Sequence, residues 1–282
     1  MSPLVLSVAV IGTTYRNPER PRQDRLQSVE RALTVLSLLA AEGAPLRLTD
    51  VQQKTGLQKS IAFRLLKTLE ASRFVEQEEG TGRFHIGIGA FEVAQAYPRG
   101  SSLIRLVRPY LRTLVGGSPH TAYLATLDQF EIVYLTSVEG TGPLRVHVNP
   151  GSRNPAYATA VGKTLLAELD DATITELGRR FGLVRLTPST ITSVQKLVKH
   201  VGEVRERGYA LNSEEAYPGI GSIAAPIRYG SGKTGVGITL AYATSLLAPE
   251  ELPAWIEQTT TTARAISAAL SSVTVDDGHD DS

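Results

Sequence analysis

The sequence predicts an α+β protein in two parts: a small half of three helices and a hairpin, then a larger half built on a mostly antiparallel sheet. Three observations carry this expectation. Apolar residues recur at helical spacing through about residue 71, two strand-like runs then flank a glycine-containing loop, and beyond Pro119 strands and helices mix without strict alternation. With 282 residues, 42% of them hydrophobic, two domains with real cores are expected.

Residues 1–24 read as a flexible arm, because Arg16, Arg20 and Arg22 sit beside Pro18 and Pro21, which forbid a regular helix there. Over residues 28–41, Val29, Ala32, Leu33, Leu36, Leu39 and Ala40 predict one amphipathic helix, with Ser28 as its N-cap and Gly43 and Pro45 at its end. A second helix, residues 48–54, starts at Thr49-Asp50, and Gly56 supplies a left-handed turn residue. The third runs to about Ala71, with Ala62, Leu65, Leu66 and Leu69 in one stripe. Its other face holds Lys59, Ser60, Ile61, Phe63, Arg64 and Lys67. Cations for phosphate or guanine, a hydroxyl for a base edge and apolar atoms for a thymine methyl are what a helix in the DNA major groove needs. Taken alone, the stretch equally fits an ordinary surface helix. Residues 74–77 and 83–86 then predict a β-hairpin. Three helices followed by a hairpin, in that order, make a winged helix-turn-helix over residues 25–88.

Residues 89–100 read as a linker helix closed by Pro98-Arg99-Gly100, and Ser101 opens another helix to about Val115. The larger domain, residues 101–273, has predicted strands at 121–127, 131–138, 144–148, 222–227 and 236–241. Its predicted helices are 158–169, 174–181, 191–207 and 249–269. Residues 274–282 form an acidic tail, expected to be disordered.

Composition narrows the chemistry. A net charge of +1 means that nucleic-acid binding must come from a local patch. The absence of cysteine excludes disulfides, thiolate metal sites and a cysteine nucleophile. The apolar run 4–11 is too short to span a bilayer and follows no basic stretch, so a soluble, cytoplasmic protein without membrane contact is expected. Gly162-Lys163-Thr164 and Gly232-Lys233-Thr234 lack the earlier glycine of a phosphate loop, with Tyr157 and Ile227 in its place. Gly116-Gly117-Ser118 runs into Pro119 and His120, which breaks the nucleophile-elbow pattern. The histidines show no close metal spacing, with His147 kept only as a remote ligand. Glu214-Glu215 reads as a solvated loop. No catalytic residue, cofactor or metal is therefore expected. Residues 158–162 open a helix with small side chains, whose N–H groups could receive a carboxylate or phosphate; tight packing of helix on sheet is the alternative.

Several motifs now line up. In the N-terminal half they are Ser28-Val29-Glu30-Arg31-Ala32-Leu33, Gly56-Leu57-Gln58-Lys59-Ser60, Arg64-Leu65-Leu66, Thr68-Leu69 and Gly82-Arg83-Phe84-His85-Ile86-Gly87. In the C-terminal half they are Ala158-Thr159-Ala160-Val161-Gly162-Lys163, Leu165-Leu166-Ala167, Arg207-Gly208-Tyr209, Glu215, Pro218-Gly219 and Ile223-Ala224-Ala225-Pro226. Together, over about residues 25–270, they resemble the IclR family of bacterial transcriptional regulators. The resemblance implies a GAF-like effector-binding domain and no enzymatic step. It also implies a palindromic double-stranded operator, a homodimer made largely through the DNA-binding half or a dimer of dimers, and a small carboxylic acid or related effector. Ser60 and Arg64 are the candidates for base or phosphate readout, with Lys59, Lys67 and Arg83 on phosphate. Ile61 and Phe63 stand where Thr and His are frequent, so operator preference should differ. By position, effector contacts fall at Pro143, Val146, Ala160, Val161, Asn212, Ile220, Ser222, Thr239 and Ala241, with Tyr157 where His is usual. Asn212 stands where Asp is frequent and Ser222 where Cys is frequent; the latter argues against a metal site. Tyr157 together with Tyr123, Tyr134 and Tyr217 points to an aromatic effector. Arg73 stands where a helix-ending glycine is common, so it is strained or its turn is rebuilt. The competing expectation is a small-molecule enzyme carrying a helical protein-interaction domain.

Overall fold

Gly56, at φ 69°, turns the short helix α2 (Leu48–Thr55) into α3 (Lys59–Ala71), a left-handed corner that a side chain would strain. The computed structural model describes residues 4–7, 26–95, 98–141, 144–229 and 233–276. The chain divides into two units, one ending at Ser101 and the other running from Ser102 and taking in the described residues Leu4–Ser7 as well.

In the first unit, α1 (Gln27–Glu42), α2 and α3 surround a core of Val35, Leu39, Leu46, Val51, Leu66, Val75 and Phe84. The wing pairs β2 (Val75–Gln77) with β3 (Phe84–Ile86) in antiparallel register, and Leu46 bridges to Phe84 from the α1–α2 connection. Phe84, 2% exposed, is the wing's anchor, a burial worth about 1.5–3 kcal/mol. Two expectations change. Leu26, not Ser28, occupies the N-cap of α1 and caps with no side-chain bond. The expected single stripe on α1 splits: Leu39 packs inward, joined by Val35 from outside the stripe, whereas Val29 and Leu33 are 50% and 57% exposed. Within the expected Thr49-Asp50 start of α2, it is Asp50 that fixes the end, its carboxylate accepting from the Arg47 N–H at 2.9 Å. Arg73 takes the strained option, at φ 64°. It closes α3 in a Schellman arrangement, with Arg73 N–H on Glu70 O and Phe74 N–H on Leu69 O, both 2.9 Å. The linker helix α4 is Ile88–Gln95.

Helix α5 runs Pro98–Val115, so Pro98 opens it instead of closing the linker; proline suits a first helical turn, where its missing N–H is not needed. The second unit is a six-stranded sheet in the order β7-β5-β4-β10-β9-β8, antiparallel throughout. Its strands are β4 (Thr121–Asp128), β5 (Glu131–Val138), β7 (Arg153–Pro155), β8 (Ala210–Ser213), β9 (Ile220–Tyr229) and β10 (Lys233–Ala243). The short edge strands β7 and β8 were not expected, because three or four residues carry too little alternation to read. One face packs on α5 and α9 (Leu252–Asp276) through Val107, Leu111, Leu124, Ile223, Ile238 and Ile266. The other face carries α6 (Ala160–Leu166), α7 (Asp171–Phe181) and α8 (Val194–Arg207), packed on Tyr123, Tyr134, Ala224 and Ala241. Helix α6 is shorter than expected: a 3-10 turn, Ala156–Ala158, precedes it, and Thr159 is the N-cap. Outside this sheet, β6 (Leu144–His147) pairs in parallel with β1 (Leu4–Ser7). The rest of the expected arm and the tail beyond Asp276 lie outside the described residues.

Candidate functional site

On α3, Ala62 and Leu66 face the core, so Lys59, Ser60, Phe63 and Arg64 face out. All four are exposed, Phe63 by 46%, and the side chains of Lys59, Ser60 and Arg64 make no hydrogen bond or ion pair among the described residues. Phe63 thus stands in water beside two cations and a hydroxyl, the mixture of apolar, charged and polar atoms that a helix in the major groove presents. The other candidates sit differently. Ile61 is half-buried. Lys67 is engaged: its Nζ lies 2.7 Å from Glu70 Oε2 and 2.9 Å from Gln77 Oε1, and 6.0 Å over the Phe84 ring, tying α3 to the wing. Arg83 is half-buried, reaching the Pro45 carbonyl at 3.5 Å.

The effector candidates gather on the sheet face beneath α6, apart from Pro143, which lies outside the described residues. Register places Asn212 opposite Ser222, Ser222 opposite Ala241, and Thr239 opposite Tyr123. Val146, Tyr157, Ala160, Val161 and Ala241 belong to the core cluster on that face, with Ile220 packed against it. Gly162 permits this closeness, since a Cβ there would come within 2.2 Å of the Ala156 carbonyl oxygen. The expected ready row of N–H donors is partly spent: Gly162 N–H donates to Thr159 Oγ1 at 3.1 Å. Tyr157 sends its hydroxyl to the Val184 carbonyl at 3.0 Å, and its ring stands beside Phe130, which stacks on Phe181. It therefore sits in a separate aromatic group from Tyr123 and Tyr134, whose rings meet edge to face at 4.8 Å. A β-bulge makes that meeting possible. Between Leu124 and Ala125 the β4–β5 register skips Leu135, which returns Tyr134 to the same face as Tyr123.

Two features had no readable signal. The first is Asn154, 2% exposed, joining Tyr217 to Tyr134 by hydrogen bonds of 2.8 and 2.9 Å. Burial pushes the Tyr123 hydroxyl up to about 12 and holds Tyr134 well above the usual phenol range. The second corrects the solvated-loop expectation at Glu214-Glu215. Glu215 is buried, and its Oε1 lies 2.5 Å from Nζ of a wholly buried Lys163. Desolvation lowers the Lys163 pKa, with Glu215 opposing. Asn212 supports the same joint, accepting from Glu215 N–H and donating to the Ala158 carbonyl, each at 2.9 Å. The pair fastens α6 to the β8–β9 loop, and Gly162-Lys163-Thr164 is thus a packing motif. His147 bonds Glu139 at 2.5 Å and Asn149 at 2.8 Å, and no three metal-ligating side chains converge among the described residues. No described helix is long and apolar enough to cross a membrane.

Comparison with known proteins agrees with this architecture. Residues 28–79 match the IclR helix-turn-helix domain, and residues 95–268 the bacterial transcriptional regulator IclR C-terminal domain. The chain is 33% identical over 242 residues to the HTH-type transcriptional regulator BhcR of Paracoccus denitrificans, covering 86% of each protein. It is 32% identical over 264 residues to the HTH-type transcriptional repressor AllR of Klebsiella pneumoniae, covering 92% of this chain and 97% of that one. The crystal structure of an IclR transcriptional regulator from Alicyclobacillus acidocaldarius matches with a TM-score of 0.76 at 28% identity, over 86% of this chain and 98% of that one. The chain belongs to the IclR family of bacterial transcriptional regulators, DNA-binding proteins of the helix-turn-helix type that are not enzymes.

Proposed function

We propose that this regulator reads a palindromic operator through the Lys59, Ser60, Phe63 and Arg64 face of α3, as a homodimer or dimer of dimers, and answers to a small organic effector seated beneath α6. The observation that carries the reading is the unpaired, exposed and chemically mixed face of α3, which matches a major-groove edge and little else. Ser60 and Arg64 take base edges or phosphate, and Lys59 takes phosphate. Lys67 supports the wing instead of touching DNA. Two further apolar rows in the same unit favour self-association: Leu26, Val29 and Leu33 at the start of α1, and Ile88, Phe91 and Val93 on α4, are 44–72% exposed. The effector is a small carboxylate or related metabolite, in a seat whose tyrosines suit an aromatic skeleton. Its binding changes operator affinity by a coupling of the usual size, about 1–3 kcal/mol, and the protein acts in the cytoplasm. Fluorescence anisotropy on the DNA upstream of its own gene tests the reading. Tight binding there, and a reduced preference over scrambled DNA in Arg64→Ala, is expected; equal binding of both DNAs by the wild type would refute it.

A further inference from the structure

We propose that Arg73 is a positioning residue: it joins the start of the linker helix α4 to the corner between α3 and the wing, so that α3 and α4 turn as one body and the half-site spacing read by two copies is fixed at this joint. This rests on the operator reading above and deepens it by naming what sets the spacing.

Arg73 carries a strain that glycine would not. Its φ of 64° lies in the left-handed region, which residues with a side chain enter reluctantly. Such strain persists where the surroundings hold it in place, and here both ends of Arg73 are held. Its carbonyl accepts from the Gly89 N–H at 2.8 Å, and its guanidinium lies 3.3 Å from Glu92 Oε1, three residues farther along α4. Residues three apart share a helix face, so both contacts fall on one side of α4. Beside them, Glu76 on β2 accepts from the Ile88 N–H at 3.1 Å, an anion at a helix N-terminus. The first N–H groups of a helix have no partner within it. In α4 those of Ile88 and Gly89 are taken by Glu76 and Arg73, so the wing corner itself caps the linker. The approach is close: an added Cβ would stand 2.4 Å from the Arg73 carbonyl oxygen at Gly87 and 2.9 Å from it at Gly89. The Arg73–Glu92 pair is exposed and adds little by itself. The fixed direction of the Arg73 carbonyl holds the joint, because an arginine confined to the small left-handed region has less freedom than a glycine to turn that carbonyl away. Past the joint, Phe91 and Val93 are 58% and 59% exposed. A second copy gripping them is thereby held at a set distance from α3, and half-site spacing follows from that distance.

The test uses the full-length protein, amide hydrogen exchange and three DNAs: the DNA upstream of its own gene, the same DNA with one base pair inserted at its centre of symmetry, and a duplex carrying one half-site. The wild type should prefer the natural spacing over the lengthened one by about tenfold or more. Gly89→Ala drives α4 off the Arg73 carbonyl; exchange in residues 90–95 should quicken about tenfold or more, and the spacing preference should shrink to about threefold or less. Arg73→Gly should act in the same direction, with exchange about threefold faster, the preference about halved and a melting temperature no lower than that of the wild type. Half-site binding should stay unchanged in both variants, whereas a folding defect would lower it. If Gly89→Ala does not fold, seen as lost protection at Leu66, Arg73→Gly carries the test alone. Wild-type exchange in α4 or a wild-type spacing preference in Arg73→Gly, or half-site binding that falls in step with the preference, would overturn the proposal. Equal binding of upstream and scrambled DNA by the wild type defeats the operator reading instead, and exchange in α4 then upholds or overturns the joint by itself.

Discussion

The outer face of α3 and the ground beneath α6 solve opposite problems. On α3, Lys59, Ser60, Phe63 and Arg64 are exposed and the three polar side chains are unpaired. Beneath α6, Tyr123, Asn154, Lys163, Asn212 and Glu215 are buried, and nearly every polar atom is spoken for, with the exceptions of Thr239 Oγ1 and Glu215 Oε2. A surface that must meet a polyanion keeps its donors in water, where they cost nothing until contact. An interior that must meet a small molecule pays for each polar group in advance, so the few left unmatched are informative. Lys67 and Lys163 show the same lesson in miniature. Lys67 was a candidate for phosphate and Lys163 stood in a Gly-Lys-Thr short of a phosphate loop, and each has an acidic partner, Glu70 on the surface for one and Glu215 in the core for the other.

The largest effect should come from Lys163. Lys163→Met leaves the Glu215 carboxylate buried without a partner, and a loss of about 3–5 kcal/mol is expected in urea denaturation. The double replacement Lys163→Met with Glu215→Leu should recover most of it. If the single variant is as stable as the wild type, the core pair does not hold α6 to the β8–β9 loop. Next is Arg64→Ala, expected to weaken operator binding by about 1–3 kcal/mol in anisotropy titrations while leaving thermal stability unchanged.

Much of this contrast was visible before the fold was known. The α3 stripe, the turn at Gly56 and the hairpin follow from periodicity and from glycine, which are local properties. Phe63 was legible for the same reason: an apolar residue on a polar face stands out in a single helix. The seat was only half legible. Asn154 lies on a three-residue edge strand, and Glu215 lies 52 residues from Lys163, so nothing local marks either. The bulge that skips Leu135 and turns Tyr134 toward Tyr123 depends on pairing with another strand and leaves no trace in β5 itself. Val29 misled because it belongs to a helix with two apolar sides, and the partners of Lys67, Glu70 and Gln77 of the wing, include one that the helix alone does not reveal.

Acid should separate the two regions as well. Desolvation first, then Lys163 and Arg207, lowers the His200 pKa from 6.5 to about 4, with Glu203 opposing weakly. The unfolded chain takes up that proton near pH 6.5 and the folded chain only near 4, so the folded state binds fewer protons between them. Stability is therefore lost as pH falls through this window. Urea midpoints of wild type and His200→Asn at pH 7.5 and 4.5 check this, and the variant should lose less. The smallest effect is reserved for Lys67→Ala. Breaking an exposed ion pair should cost under about 1 kcal/mol of stability and leave the salt slope of operator binding unchanged. A slope reduced by about one would return Lys67 to the phosphate backbone.

The most direct measurement is the ratio of affinities for upstream operator DNA and scrambled DNA of equal length, at one fixed salt concentration, for wild type and the Phe63→Ala, Arg64→Ala double variant. The outer face of α3 predicts a wild-type ratio of about 10³ or more that falls toward unity in the variant, with the melting temperature and effector-domain fold unchanged. A double variant that keeps the wild-type ratio would show that the operator is read somewhere else.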